Sequence, residues 1–184
     1  MQALTIHEPW ATLLIKGKKQ FETRDWKRNY RGLLAIHAGK QSVPVEDYPL
    51  GLEKILDELG ITQDNLNNNK GKIIAIANLT NIHLMTDKFI NEQSEIERLM
   101  GFWQPGRYAW ELIDIKTLSE PILVRGMPGL WSVYGADCDF DIELKILNQL
   151  KLFYCFNCGK LTPWSEGDAD DFPLWCGECC STKQ

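Results

Sequence analysis

Residues 17–40 read GKKQFETRDWKRNYRGLLAIHAGK, and two strand patterns of different character follow one another inside them. The first, over 20–26, alternates with a period of two, so Phe21 and Thr23 share one side while Glu22, Arg24 and Trp26 share the other. A charged pair beside an aromatic residue is poor core material, which marks that second side as a candidate site. The other pattern, GLLAIHAGK at 32–40, is largely apolar and predicts a buried strand. Lys16, Lys18, Lys19, Arg24, Lys27, Arg28, Arg31 and Lys40 face only Glu22 and Asp25 across this region. The chain as a whole carries a net charge of −5, so a basic stretch sits in an otherwise acidic protein. Such asymmetry suits one phosphate-facing surface and argues against wholesale electrostatic capture of nucleic acid.

Upstream, Pro9 opens a short helix with Ala11, Leu14 and Ile15 inward, ended by Gly17. Downstream, 45–60 reads as a helix and 72–84 as a strand that overruns into a loop. Asn67, Asn68 and Asn69 before Gly71 read as a turn. A weaker helix is expected over 87–100, a loop at GFWQPG (101–106), and two more strands at 107–118 and 129–135. Residues 139–153 have apolar residues near helical spacing. Several strands with few helices predict an α+β fold built on a curled sheet or small barrel, not a doubly wound one. The length of 184 residues allows one ordinary domain and a small appendage. No apolar run approaches the eighteen residues of a membrane span, and the first residues lack a basic leader, so a cytoplasmic protein without a membrane association is expected.

Five of the six cysteines follow Lys151, and four of them form CxxC, seventeen intervening residues, then CxxC. Reduced cytosolic thiols at this spacing predict a zinc ribbon held by Cys155, Cys158, Cys176 and Cys179. Four thiolates close the shell, leaving no open position for water, so the Zn2+ is expected to be structural and to fold a segment too small to fold alone. Cys180 is an alternative to Cys179, and Cys138 is expected in the core. Glu166, Asp168, Asp170 and Asp171 make the ribbon's loop acidic, which suits a protein partner better than phosphate.

Gly17, Lys19, Glu22 and Arg24 spell GxKxxExR, and with HEPWA before and YRGLLAIHAGK after, the chain resembles the ASCH domain family, relatives of the PUA fold. YAWEL and GLW resemble the later strands of that family, and the resemblance spans roughly residues 2 to 135. It implies a PUA-like β pseudo-barrel with flanking helices over 1–140, joined by a helical connector at 141–152 to the ribbon at 153–184. It also implies an RNA or nucleotide cleft beside the motif strand, for which His7, Trp10, Lys19, Glu22, Arg24 and Trp26 are the ligand-binding candidates. Two alternatives come with the resemblance. One is a hydrolase acting on a modified nucleoside or RNA, with Lys19 and Glu22 as catalytic candidates, since Glu22 stands where related amidohydrolases place a Thr. The other is a protein-interaction module like those of transcription coactivators. Relatives commonly carry Gln before the Pro-Trp pair, often preceded by Arg, where this chain has Glu8 and His7.

Overall fold

A computed structural model of the chain describes residues 1–133, 141–155, 158–164, 167, 168, 175 and 176. The chain divides into two compact units, 1–138 and 139–184.

The first unit is built on a six-stranded mixed sheet. In chain order it contains β1 (Gln2–Glu8), α1 (Trp10–Ile15), β2 (Phe21–Arg24), β3 (Gly32–Ser42), α2 (Leu52–Glu58), α3 (Gln63–Asn69), β4 (Lys72–Leu84), α4 (Asp87–Asn91), α5 (Glu95–Leu99), β5 (Tyr108–Leu123) and β6 (Leu130–Ser132). The strands lie in the order β2-β5-β4-β3-β1-β6, and only the β1–β3 pair is parallel. β4 and β5 are the two longest strands described, and their register shifts near Ile73, Ile76 and Leu79. Such bulges bend a strand and increase its twist, which here curls the sheet into a half-barrel.

Leu4, Ile6, Leu34, Ile36, Ile74 and Trp110 form the main core against α1. Leu13 turns the other way, into a second cluster with Leu52, Leu56, Leu66 and Met100 beneath α2 and α3. α1 is only six residues long and Pro9 offers it no side-chain cap; Glu8 supplies one instead. Its carboxylate accepts from the Thr12 backbone N–H at 3.0 Å and from the Thr12 hydroxyl at 2.9 Å. Burial pushes the Glu8 carboxyl above its ordinary range, against the opposing pull of the Thr12 hydrogen bonds.

Several local expectations are corrected. The helix expected over 45–60 is a single 3-10 turn at 45–47 followed by α2, because Pro49 and the left-handed Gly51, φ +94°, interrupt it. The asparagine cluster is the end of α3, which Thr62 and Asn65 start with a reciprocal capping box. β4 continues as strand to Leu84 because β5 pairs with it throughout. The helix expected over 87–100 is two short ones, restarted by a Ser94 cap.

The second unit contains α6 (Asp141–Gln149), the hairpin of β7 (Leu152–Tyr154) and β8 (Leu161–Pro163), and the short pair β9 (Gly167–Asp168) and β10 (Trp175–Cys176). The Tyr154 hydroxyl donates to Glu143 at 3.0 Å, tying the hairpin to α6. Cys138, Cys179 and Cys180 lie outside the described residues. Among the described residues no helix is long and apolar enough to cross a membrane.

Candidate functional site

The motif begins in the turn that ends α1. Gly17 adopts φ +65°, and the N–H groups of Lys18 and Lys19 both return to the Leu13 carbonyl, at 3.0 and 3.3 Å. That turn sends the Lys19 side chain inward, where only 2% of the residue is exposed. Its ammonium donates to the Met100 carbonyl at 2.7 Å and lies 3.7 Å from Glu22 Oε2. Met100 caps α5, so Lys19 satisfies one of the carbonyls that the helix leaves open. Burial lowers the Lys19 pKa, while Glu22 and Glu97 oppose the shift.

Glu97 fixes the start of the motif strand. Its two carboxylate oxygens accept from the backbone N–H groups of Gln20, at 2.8 Å, and Phe21, at 3.1 Å. Nothing in the local sequence pointed to this residue, which joins β2 from 76 residues away in the chain.

The alternation expected for β2 separates Phe21 from Glu22 and Arg24, while Thr23 also lines the cleft with the latter two. Phe21 packs edge-on against Phe89 and Trp103, with centroids 5.8 Å apart in both pairs. Thr23, on the same side, accepts from the Phe102 N–H at 2.9 Å. A Cβ on Gly101 would come within 2.8 Å of Thr23 Cγ2 and of Trp103 Nε1, so only glycine lets this segment lie so close to the strand. On the opposite side, Arg24 Nε lies 3.1 Å from Glu22 Oε1 but off the hydrogen-bond line, making the contact ionic. Arg24 Nη2 donates to the Thr5 carbonyl at 2.6 Å, which aims the guanidinium along the sheet.

The result is a cleft of about 470 Å³ lined by His7, Trp10, Lys19, Glu22 and Arg24, five of the six candidates. Trp26 is not among its lining residues. β2 ends at Arg24, and Trp26 packs edge-on against Trp110 at 4.6 Å, with the Trp110 indole N–H donating to its carbonyl. It lines a neighbouring cavity instead. Sequence reasoning missed Phe102 and Arg107, which both line the cleft. Phe102 is 62% exposed, and the Arg107 guanidinium lies 4.6 Å from its ring centroid. The only signal for it was an aromatic residue in a Gly- and Pro-bounded loop.

Chemically the cleft is mixed. Lys19, Arg24 and Arg107 meet Glu22, Asp25 and Asp47 around it. His7 Nδ1 lies 3.0 Å from the Gln41 carbonyl, an acceptor, so the neutral ring carries its proton there and keeps Nε2 as an acceptor. The Trp10 indole N–H is buried without a hydrogen-bond partner. Paired donors and acceptors beside an aromatic face match a nucleobase or nucleoside better than a bare anion.

In the second unit, Cys155 is buried at the end of β7 and Cys158 is exposed in the turn to β8. The Cys155 N–H donates to the Lys160 carbonyl and the Gly159 N–H to the Cys155 carbonyl, both at 2.8 Å, with Gly159 at φ +69°. A closed turn carrying two thiols with two residues between them fits half of a tetrathiolate zinc site. Only the backbone of Cys176 is described, and Cys179 lies outside the described residues. Among the described residues no three metal-ligating side chains come together.

Comparison with known proteins places these features in a family. The ASCH domain matches residues 4–122, which run from within β1 to within β5 and hold every lining residue of the cleft. A mouse protein, "Activating signal cointegrator 1" from Mus musculus, is 48% identical over 44 residues, which are 23% of this chain and 8% of that protein. The chain thus spans under a tenth of that relative's length.

Proposed function

We propose, from the premise that this chain belongs to the ASCH domain family, that it binds RNA or a nucleotide in the cleft beside Lys19, Glu22 and Arg24. The observation that carries this reading is the exposed Phe102 ring under Arg107 at the rim of a cleft with balanced charge. A base stacks on the ring, and Glu22, His7 and the unpartnered Trp10 N–H read its edge. Lys19 is committed to the Met100 carbonyl and positions Glu22 instead of meeting phosphate itself. The same reading makes the protein cytoplasmic, where its thiols stay reduced.

Short single-stranded RNAs titrated against the full chain test the idea. Affinity should fall with added salt, and Phe102→Ala should weaken it by roughly 1–3 kcal/mol, the ordinary worth of one stacked base. Salt-independent affinity, or unchanged binding by Phe102→Ala together with Arg107→Ala, would refute it.

The hydrolase reading rests on one specific observation: a buried amine of lowered pKa stands 3.7 Å from a carboxylate inside the cleft. Release of acetate from acetylcytidine, or cleavage of RNA, lost in Lys19→Met would establish it. Inertness in both assays would remove it.

For the second unit, Cys155, Cys158, Cys176 and Cys179 would hold a structural zinc ion, supported by the closed Cys155–Lys160 turn. The ribbon then offers an acidic surface to a protein partner, a role suggested by the chain's similarity to a protein named as an activating signal cointegrator.

A further inference from the structure

Beside the cleft lies a second cavity, of about 750 Å³, and His7 and Arg24 line both. The two differ sharply in charge. Arg24, Lys40 and Arg125 line the second cavity and no carboxylate does, whereas the first has as many carboxylates as cations. Among the described residues neither Lys40 nor Arg125 forms an ion pair. Lys40 is also held in place, because its stem lies over Gly71, where a Cβ would come within 3.0 Å of the Lys40 Cε.

The walls between the cations are bare backbone for a steric reason. A Cβ on Gly39 would come within 2.8 Å of the His7 ring, and one on Gly126 within 2.3 Å of the His37 ring. Glycine at both positions lets the His7 and His37 rings pack directly on the backbone of the wall. Trp26 closes one side, with the Arg28 guanidinium 4.8 Å from its ring centroid.

Three cations line this concave space, and among the described residues only Arg24 has a protein counter-charge, in Glu22 on the side of the first cleft, so Lys40 and Arg125 are left for an anion from outside. The one chemically tied to an occupied nucleoside cleft is a phosphate. We propose that the second cavity is a phosphate site, receiving the phosphate of the nucleotide whose base lies in the first cleft. This rests on the reading of the cleft as a nucleotide site. Arg24 stands between the two: its Thr5 and Glu22 contacts hold it where it meets both halves of one nucleotide. The phosphate is either terminal, on a mononucleotide, or bridging, within a strand.

The test uses the full chain with Lys40→Ala and Arg125→Ala combined, both solvent-exposed positions away from the cleft. Nucleosides, the matching monophosphates, short single-stranded RNAs and inorganic pyrophosphate are titrated against the wild type and the variant. The expected result is that the variant keeps nucleoside affinity but loses what the phosphate adds. If the monophosphate loses its advantage over the nucleoside, the site holds a terminal phosphate. If only RNA weakens, with its salt dependence reduced by about 0.7 per lost contact, the site holds a bridging one. Unchanged phosphate advantage and unchanged salt slope would overturn the proposal while leaving the cleft reading intact. If no nucleoside or RNA binds, the cleft reading fails and pyrophosphate decides. A saturable shift of the His37 imidazole resonances, lost in the variant, supports an anion site; no shift overturns it.

Discussion

Glu97→Ala is the most discriminating perturbation of the site, because one side chain anchors the motif strand to the helix that leads into the Met100–Phe102 wall of the cleft. Glu97 is 8% exposed and accepts from two backbone N–H groups, Gln20 at 2.8 Å and Phe21 at 3.1 Å. A hydrogen bond to a charged partner contributes about 1.5–3 kcal/mol net, and a buried donor left unmade costs a similar amount. The two bonds differ in what truncation does to them. Phe21 is buried, so its N–H is stranded, while the N–H of the exposed Gln20 is free to turn to water. The sum is a loss of about 2–4 kcal/mol for Glu97→Ala. Glu97→Gln keeps one acceptor and turns an NH2 toward the other donor, so about half the loss is expected. Urea unfolding followed by tryptophan fluorescence reads both, with an unchanged slope showing that the unfolded state is unaffected. A Glu97→Ala variant within about 1 kcal/mol of wild type would refute the anchoring argument. Equal losses in the two variants would show that the negative charge beside Lys19 matters and the pair of acceptors does not.

Further predictions follow from other contacts. Glu8 has a folded pKa raised above its ordinary value of 4.5, so protonation favours the folded state. Its contribution is fully present below the unfolded pKa and is lost as pH rises through the folded one. Glu8→Gln, which keeps an acceptor for the Thr12 N–H and gains a donor for its hydroxyl, should flatten that decline with rising pH and be neutral or stabilising at pH 7; a steeper decline would contradict it. Gly101→Ala puts a methyl 2.8 Å from Thr23 Cγ2 and should destabilise by about 1–3 kcal/mol and weaken RNA binding together, measured by calorimetry and titration. Metal analysis should find about one zinc per chain, and a strong chelator should unfold the second unit while the first keeps its near-ultraviolet signal. A second unit that stays folded without metal would remove the ribbon from this account.

What the sequence by itself determined is local in kind. The period-two pattern of 20–26 separated Phe21 from Glu22 and Arg24, and the structure keeps that separation on β2, while Thr23 reaches the rim of the same cleft as Glu22 and Arg24. Pro9 and Gly17 delimited α1, and the apolar run at 32–40 marked β3, because backbone preference and face periodicity act over a few residues. The family resemblance, carried by GxKxxExR and its flanks, is likewise written in adjacent residues. Two of the local misreadings came where two signals competed. At 45–60 the helical spacing outweighed Pro49 and Gly51, and at 67–69 the turn preference of asparagine hid a helix already capped at Thr62.

The tertiary structure alone decided what each face meets. Lys19 looked like a phosphate ligand until α5 brought the Met100 carbonyl to it from 81 residues away. Trp26 looked like a wall of the same cleft as Glu22 until the strand ended and its ring packed on Trp110, which leaves it beside Arg24 on the second cavity. Glu97, Phe102 and Arg107 joined the site from a loop and helix whose sequence carries no periodic signal toward β2. Lys40 and Arg125 lie 85 residues apart in the chain, yet the pairing of β3 with β4 and β4 with β5 puts them on one cavity. A residue's own neighbours in sequence dictate which way its side chain points. Which distant element covers that side chain depends on strand order and on packing shared across the whole sheet, and no short stretch of sequence carries that information.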